Sequence, residues 1–270
     1  MKLGNVTLLC RYKWHMNRLL IVLPLLLLLS AFIIDSKRPV IYVVGDSTVQ
    51  NSDGNGTNEY WGWGTLLKAH LDTTRISLHN HAKAGTSTRT FMSDGRWDKV
   101  LAQLKPGDFV LIQFGHNDQA AINDSARAKG TLKGIGEDTV HIFNLKTRQP
   151  EIVHTYGWYL NKYIKEAKEK GAIPIVCSLV PRNKWKGDKV DREIEYVNWA
   201  EEVTKASGTF FINLNQLIVN QWEQQGKDAI KKFFPVDGTH TNLAGATENA
   251  NAVAEGLAAL KDCPLKGYLK

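Results

Sequence analysis

The most informative part of this sequence is the stretch Val40-Ile41-Tyr42-Val43-Val44-Gly45-Asp46-Ser47-Thr48. Its β-branched and aromatic residues predict a buried strand, and the Gly-Asp-Ser that follows predicts a tight turn. In parallel α/β sheets, reacting groups lie at the carboxyl ends of strands, where loops open into a crevice. Ser47 is therefore either a nucleophile or an ordinary N-cap of a following helix. Other parts of the sequence are needed to decide between these two roles of Ser47.

After this stretch, predicted strands alternate with predicted amphipathic helices. We expect strands at 40–44, 76–81, 108–114, 173–179 and 209–213. We expect helices near 63–71, 94–104, 157–170, 190–206, 215–225 and 243–260. Such an alternation is typical of a parallel sheet that is covered by helices on both faces. We therefore predict an α/β fold whose strands follow the order 2-1-3-4-5, by analogy with other small doubly wound folds.

The first 38 residues differ from the rest of the chain. Basic residues without any acidic ones precede an apolar run from Leu19 to Ile34. This pattern is typical of a secretory signal peptide, and the run is short for a membrane span of about 20 residues. We predict that residues 1–38 are a signal peptide, with an uncleaved N-terminal membrane anchor as the alternative. Either way, residues 39–270 form one domain that is exported from the cytoplasm.

Charge and cysteine content give little indication of nucleic-acid binding, of a disulfide bridge or of a zinc site. The formal net charge is +7, but four of the basic residues and no acidic one precede Ile34, so there is little reason to invoke nucleic acid. Cys10 lies in the leader, and Cys177 lies in a predicted core strand, so we predict no disulfide bridge. No spacing of cysteines and histidines resembles a zinc site, and we predict no metal.

Four short blocks carry the chemistry. They are Gly45-Asp46-Ser47, Asn80-His81-Ala82-Lys83-Ala84-Gly85-Thr86-Ser87-Thr88-Arg89, Phe114-Gly115-His116-Asn117-Asp118 and Asp237-Gly238-Thr239-His240-Thr241-Asn242. The first three blocks each follow a predicted strand, and the fourth opens the last predicted helix. In a doubly wound sheet these four loops converge on one crevice.

Residue types in these blocks match the needs of a serine hydrolase. A serine nucleophile needs a base, and the base needs a carboxylate on its other ring nitrogen. Asp237 and His240 are three residues apart in one turn-rich loop, so the carboxylate can fold back onto the ring. A developing oxyanion needs preorganised donors, which the backbone N–H groups of Ser47 and Gly85 and the side chain of Asn117 can supply.

The order of the blocks resembles that of the SGNH (GDSL) hydrolase superfamily, whose name lists a Ser, a Gly, an Asn and a His. Trp61-Gly62-Trp63-Gly64 and the block around His240 are also similar to the rhamnogalacturonan acetylesterase group. The resemblance covers about residues 39–260. It implies a flavodoxin-like three-layer α/β/α sandwich with a five-stranded parallel sheet, no cofactor, and removal of acetyl groups from pectic polysaccharide. Ala84 departs from relatives that often carry a second glycine there.

The resulting hypothesis is an exported serine acetylesterase. Its catalytic residues are Ser47, Asp237 and His240, and its oxyanion hole is formed by Ser47, Gly85 and Asn117. The expected partner is an acetylated polysaccharide, and we expect a monomer. Other acyl esters, such as acetylated xylan or a lipid, are the enzymatic alternatives. A carbohydrate-binding relative without catalysis is the non-enzymatic alternative.

Several further side chains could bind a sugar substrate. Trp61 and Trp63 could stack on sugar rings or pack beneath their loop. Arg89 could bind a uronate carboxylate or be an ordinary surface arginine. His116 could contact substrate only if its neighbour Asn117 does not point into the site. The two long segments Asn51–Trp63 and Gln119–Val153 are candidate walls of the cleft.

Overall fold

The structure is a computed structural model that describes residues 38–51, 60–192 and 194–270. The predicted leader therefore lies, up to residue 37, outside the described residues, and so does most of the segment 51–63. From Pro39 to Lys270 the chain forms one compact unit. Its strands are β1 (Val40–Gly45), β2 (Ser77–Asn80), β3 (Phe109–Gln113), β4 (Thr139–Asn144), β5 (Gln149–His154), β6 (Ile173–Cys177), β7 (Trp185–Lys186), β8 (Lys189–Val190) and β9 (Phe210–Ile212).

Five of these strands form the central parallel sheet in the order β2-β1-β3-β6-β9. This is the predicted order 2-1-3-4-5, which is confirmed. Val43 of β1 pairs with Leu111 of β3, which pairs in turn with Ile175 of β6. Every residue of β3 is buried, as expected for a central strand that is covered on both faces.

Helices cover both faces of this sheet. They are α1 (Thr88–Ser93), α2 (Arg96–Leu101), α3 (Tyr156–Glu169), α4 (Ile194–Ser207), α5 (Leu214–Gln225), α6 (Lys227–Lys231) and α7 (Leu243–Ala259), with 3-10 turns at Leu66–His70 and Pro264–Tyr268. Alternate residues of β1 enter different cores, because side chains of a strand alternate between its faces. Ile41 and Val43 belong to one apolar cluster, and Tyr42 and Val44 belong to the other. The three-layer α/β/α sandwich is confirmed.

The helix α3 shows how the sequence pattern produces a buried face. Its buried stripe contains Tyr159, Leu160, Tyr163, Ile164 and Ala167, at the spacing that the sequence predicts. Thr155 caps its first turn by accepting a hydrogen bond from the N–H of Trp158. Burial of one large apolar side chain, such as Leu160, stabilises the fold by about 1.5–3 kcal/mol.

Three sequence expectations differ from the structure. The helix expected near 63–71 is a 3-10 turn at Leu66–His70. The helix expected near 94–104 is the second of two short helices, α1 and α2, which Gly95 separates with a φ of 66°. The segment 119–153 is not a loop throughout, because β4 and β5 form an antiparallel hairpin in its second half. Within the described ranges, no helix is long and apolar enough to cross a membrane.

Candidate active site

Ser47 lies in a turn directly after strand β1 of the central sheet. The buried carboxylate of Asp46 holds this turn, because its Oδ1 accepts hydrogen bonds from the N–H of Thr48 at 2.9 Å and from its hydroxyl at 2.8 Å. Residues 47–49 form a turn and not a helix, so Ser47 is not an N-cap. A side chain on Gly45 would place its Cβ 2.7 Å from the carbonyl oxygen of Gln113. Only glycine therefore lets this turn lie so close to β3.

A chain of hydrogen bonds joins Ser47, His240 and Asp237. The Oγ of Ser47 lies 2.8 Å from Nε2 of His240, and Nδ1 of His240 lies 2.7 Å from Oδ2 of Asp237. The other carboxylate oxygen of Asp237 accepts the backbone N–H groups of Thr239, at 2.7 Å, and of His240, at 2.8 Å. The short loop thus folds the carboxylate back onto the ring, as the three-residue spacing suggested.

Opposing effects act on the pKa of Asp237. Partial burial raises it, but the hydrogen bonds from the His240 ring and from the backbone N–H groups of His240 and Thr239 stabilise the carboxylate. The net effect is a pKa below the usual value for an aspartate. Asp237 is therefore ionised near neutral pH, which is the state that orients and stabilises a histidine acting as a base.

The loop that carries His240 is fixed from both sides. Thr241 forms an isolated β-bridge with Trp61, in which the Trp61 N–H donates to the Thr241 carbonyl oxygen at 2.8 Å. Asn242 caps α7 by accepting the N–H of Gly245 at 3.0 Å. The ring of Tyr60 lies 5.0 Å from the His240 ring, between centroids. Trp61 is half-buried at this rim.

Gly85 and Asn117 lie on the loops that follow β2 and β3, the two strands that pair with β1. Gly85 is exposed and has a φ of 82°, and a Cβ at this position would meet no atom within 4 Å. The side-chain amide of Asn117 donates to the carbonyl oxygen of Thr86 at 2.8 Å, and its oxygen accepts from Nζ of Lys129 at 2.6 Å. These two bonds fix which end of the Asn117 amide is the donor. The amide nitrogen carries a second hydrogen that Thr86 does not use.

Trp63 does not reach a substrate. Its side chain is fully buried, and its Nε1 donates to Oε1 of Gln113 at 2.7 Å. Gln113 donates in turn to the hydroxyl of Thr48 at 2.8 Å. The expectation that Trp63 stacks on sugar is therefore wrong, and its alternative, packing beneath the loop, is the observed arrangement.

The expectation that Arg89 binds a uronate or lies at the surface is also wrong. Arg89 is 1% exposed and makes a bidentate ion pair with Glu151, at 2.7 and 2.6 Å. Its remaining donors bind the carbonyl oxygens of Ile122 and Gly130. Ser87 caps α1 with a capping box, and Arg89 in its first turn is buried. The guanidinium group thus fastens the β4–β5 hairpin to α1.

His116 is buried as well, and its expected contact with substrate is wrong. Burial lowers the pKa of His116 to about 3, with smaller contributions from the charges of Arg182 and His240, while the Val180 backbone opposes them. The ring is therefore neutral at any pH where an esterase would work. Because the ring is only 7% exposed, it presents almost no surface to a substrate.

A second buried carboxylate lies near Asp46. Asp118 accepts hydrogen bonds from the N–H and the hydroxyl of Thr88, and burial raises its pKa to about 7. The hydrogen bonds from Thr88 oppose this shift, and the charge of Asp46 adds to it. Two acids buried next to each other are costly when both are ionised, so one proton is retained more strongly than in water.

Sequence reasoning missed three side chains of this region. Lys129 holds the amide of Asn117, Arg182 donates to the hydroxyl of Thr239, and Tyr60 packs against His240. Arg182 follows the carboxyl end of β6, a position from which it could have been inferred. Lys129 lies in the long segment after β3 and gives no such signal. Among the described residues, no group of three or more His, Cys, Asp or Glu side chains could hold a metal ion.

A parallel α/β/α sandwich that carries a linked serine, histidine and aspartate at the carboxyl ends of its strands belongs to a known class of hydrolases. Comparison with known families agrees with this class. The sequence profile of the GDSL-like lipase/acylhydrolase family matches residues 43–247, and the chain belongs to that family.

The chain is similar to several characterised or named proteins. It is 30% identical over 215 residues to a rhamnogalacturonan acetylesterase of Emericella nidulans, which covers 78% of this chain and 82% of that protein. It is 30% identical over 223 residues to a probable rhamnogalacturonan acetylesterase of Bacillus subtilis, with 80% and 91% covered.

Solved structures show the same fold. A Bacillus subtilis protein, YxiM, superposes with a TM-score of 0.65 at 24% identity, over 82% of this chain and 56% of that one. An acetylxylan esterase of Geobacillus stearothermophilus superposes with a TM-score of 0.55 at 16% identity, over 83% and 95%. This chain therefore spans little more than half of the first of these proteins and nearly all of the second.

Proposed function

We propose that this chain is a serine acetylesterase that removes acetyl groups from an acetylated cell-wall polysaccharide, with acetylated rhamnogalacturonan or a related pectin as the substrate. The observation that carries the proposal is the continuous hydrogen-bond chain from the Ser47 hydroxyl through His240 to Asp237. The family membership and the named acetylesterase relatives support the reaction class.

In the first half of the reaction, the Oγ of Ser47 attacks the carbonyl carbon of the acetyl ester. Nε2 of His240, 2.8 Å away, takes the hydroxyl proton. The imidazolium that forms is stabilised by Asp237, which does not itself take the proton. His240 then gives its proton to the departing sugar oxygen, and an acetyl group remains on Ser47.

The charge that develops on the carbonyl oxygen needs donors that are already in place. We assign this role to the backbone N–H groups of Ser47 and Gly85 and to the second N–H of the Asn117 amide. Thr86 and Lys129 hold that amide in one orientation, so no reorganisation is needed during the reaction. Gly85 carries no side chain that could block access to its N–H, and no other atom lies within 4 Å of where a Cβ would stand.

In the second half, a water molecule attacks the acetyl group on Ser47. His240 takes a proton from this water and returns it to the serine oxygen, so that acetate leaves and the free enzyme is regenerated. Both halves use the same base and the same oxyanion donors. The partner of the protein is thus the acetylated polysaccharide alone, and no cofactor takes part.

A panel of acetylated substrates tests this proposal. Acetate release is measured from acetylated rhamnogalacturonan, acetylated homogalacturonan, acetylated xylan and a lipid ester, with the inactive variant Ser47→Ala as the blank. We expect the highest kcat/KM on a pectic substrate. A preference for xylan or lipid would overturn the substrate assignment. Absence of hydrolysis even of p-nitrophenyl acetate would instead favour a non-catalytic carbohydrate-binding protein.

Export is a separate part of the proposal, and it rests on the basic and apolar composition of residues 1–38. The protein should fractionate outside the cytoplasm of its host, as a monomer. Mass spectrometry of the N-terminus then distinguishes a cleaved signal peptide from a retained membrane anchor. Recovery from the cytosol with the leader intact would contradict export.

A further inference from the structure

A basic cleft borders the turn that carries Gly85. It has a volume of about 230 Å³, and Gly85 and Thr86 form part of its lining. The charged side chains that line it are the five bases Lys83, Arg96, Arg127, Lys129 and Lys146 and the single acid Asp94. Such an excess of positive charge in a concave site attracts negatively charged ligands.

Most of these bases lack an acidic partner of their own. Asp94 pairs with Arg96, at 3.8 Å. In the described part of the chain, no carboxylate forms an ion pair with Lys83, Arg127 or Lys146. Elsewhere on the surface, lysines such as Lys189 are paired with acids. The charge of Asp124 acts on Arg127 without an ion pair, so the cleft holds positive charges that the protein compensates only in part.

The basic side chains of the cleft also repel one another electrostatically. The pKa of Lys129 is lowered, first by burial and then by the charge of Arg127, and Lys146 adds to the effect. The charge of Asp46 opposes it. A cluster of like charges in a partly desolvated cleft is unfavourable in the free protein, and an anion bound among them would remove this cost.

The cleft is connected directly to the reacting centre. Lys129 lines the cleft and donates to Oδ1 of Asn117 at 2.6 Å, and Thr86 accepts from the same amide. Gly85 belongs both to the cleft and to the proposed oxyanion hole. A sugar that occupies the cleft therefore lies next to the sugar whose ester is attacked.

We propose that this cleft binds the carboxylate of a hexuronate residue that neighbours the acetylated sugar, and that Arg127 and Lys146 make the enzyme select acidic glycans over neutral ones. Guanidinium and ammonium groups are the side chains that recognise carboxylates, with charge-assisted hydrogen bonds. The inference rests on the proposed acetylesterase function and assigns its specificity to residues outside the catalytic set.

Binding to the inactive Ser47→Ala protein tests the cleft without any turnover. The ligands are deacetylated rhamnogalacturonan oligosaccharides, which carry uronates, and neutral xylo-oligosaccharides. We compare Ser47→Ala with the same protein that also carries Arg127→Gln and Lys146→Gln. The matched control carries Lys205→Gln and Lys261→Gln, which remove the same charge from exposed positions on α4 and after α7. Thermal unfolding of each variant verifies its fold.

The acidic oligosaccharide should bind more tightly than the neutral one, and its affinity should fall about tenfold in the cleft variant, but by less than twofold in the control. The difference in affinity between the acidic and the neutral oligosaccharide should shrink in about 0.5 M salt, because bulk ions screen exposed charges. Equal affinity of the cleft variant and the control would overturn the inference. Acetate release by the wild type is measured separately. Failure of the proposed function would appear as absent acetate release, whereas failure of the cleft proposal would appear as equal affinities in the binding test.

Discussion

Ser47 and Ser87 carry the same hydroxyl group in different surroundings, and substitutions at the two positions should therefore have different effects. Ser47 contacts His240, whereas Ser87 accepts the N–H of Thr90 and caps α1. Ser47→Ala should lower kcat by several orders of magnitude, because it removes the nucleophile. Ser87→Ala should leave kcat near normal and cost about 1 kcal/mol in the free energy of unfolding. Kinetics with p-nitrophenyl acetate and denaturant titrations measure both. The reverse pattern would show that Ser87 is the nucleophile.

Asp237→Asn tests whether the carboxylate orients His240. The amide can still accept the backbone N–H groups of Thr239 and His240, so the loop should keep its shape. It can also present its NH₂ group to Nδ1 and stabilise the wrong tautomer of the ring. We expect kcat/KM to rise with pH to a plateau in the wild type, and this plateau to fall by roughly 10³–10⁴-fold in the variant. An unaltered plateau would mean that His240 works without Asp237.

Asn117→Ala tests the side-chain donor to the oxyanion. Removal of one preorganised donor should lower kcat by about 10²–10³-fold, with a much smaller change in KM, because the donor acts on charge that exists only in the transition state. The carbonyl of Thr86 and the ammonium of Lys129 lose a partner as well, so unfolding is measured alongside. A large rise in KM at constant kcat would instead make Asn117 a ground-state binding residue.

At the scale of elements, the β4–β5 hairpin is fastened to α1 by a buried cation. Arg89 on α1 binds Glu151 on β5 and two carbonyl oxygens of the segment that precedes the hairpin. Arg89→Met should lower the free energy of unfolding by about 3–5 kcal/mol, because it leaves a half-buried carboxylate and two carbonyls without this partner. Hydrogen exchange should show the largest loss of protection in β4 and β5.

The exposed pair Lys133–Glu195 is the control for this prediction. Its side chains are 70% and 60% exposed, and it also joins two distant segments of the chain. Lys133→Met should change the free energy of unfolding by at most about 1 kcal/mol. Similar losses for the two substitutions would show that the buried pair has no special importance for the hairpin.

Elements with a regular apolar period could be predicted from the sequence, and those that depend on side-chain contacts could not. The five parallel strands and α3 follow directly from their buried residues. The hairpin was missed because its strands are largely exposed, and the short alternation of Val140 and Ile142 in β4 lies within a segment of mixed polarity. Arg89 was misassigned because nothing in its local sequence reveals Glu151, a partner 62 positions away. Ser47, Asp237 and His240 could be named because short blocks fix their backbone turns.

For the molecule as a whole, the buried carboxylates predict how stability depends on pH. The pKa of Asp118 is raised from 3.8 to about 7 in the folded protein, mainly by burial. Between these values the folded state keeps a proton that the unfolded state has lost, so stability falls as pH rises through this window. The slope reaches at most about 1.4 kcal/mol per pH unit. Above about pH 7 this loss of stability is complete. Below 3.8, the pKa of Asp118 in the unfolded chain, there is no loss.

Asp118→Asn removes this titration while keeping an acceptor for Thr88. Measured by urea unfolding, the variant should gain stability relative to the wild type as pH rises from about 4 to about 7, with a constant difference above that. Parallel profiles for the two proteins across this range would show that Asp118 does not retain a proton in the fold.

The bridge between Trp61 and Thr241 bears on when the contact between Ser47 and His240 forms during folding. Ser47 and His240 are 193 positions apart, so their contact closes a very long loop, and contacts of this kind form late because chain entropy opposes them. The serine follows strand β1 of the sheet directly, whereas its base is positioned by the segment before α7, which pairs with Trp61. A folding intermediate with the sheet already assembled would thus carry the nucleophile without its base. We therefore expect hydrolytic activity during refolding to appear only after the sheet has formed.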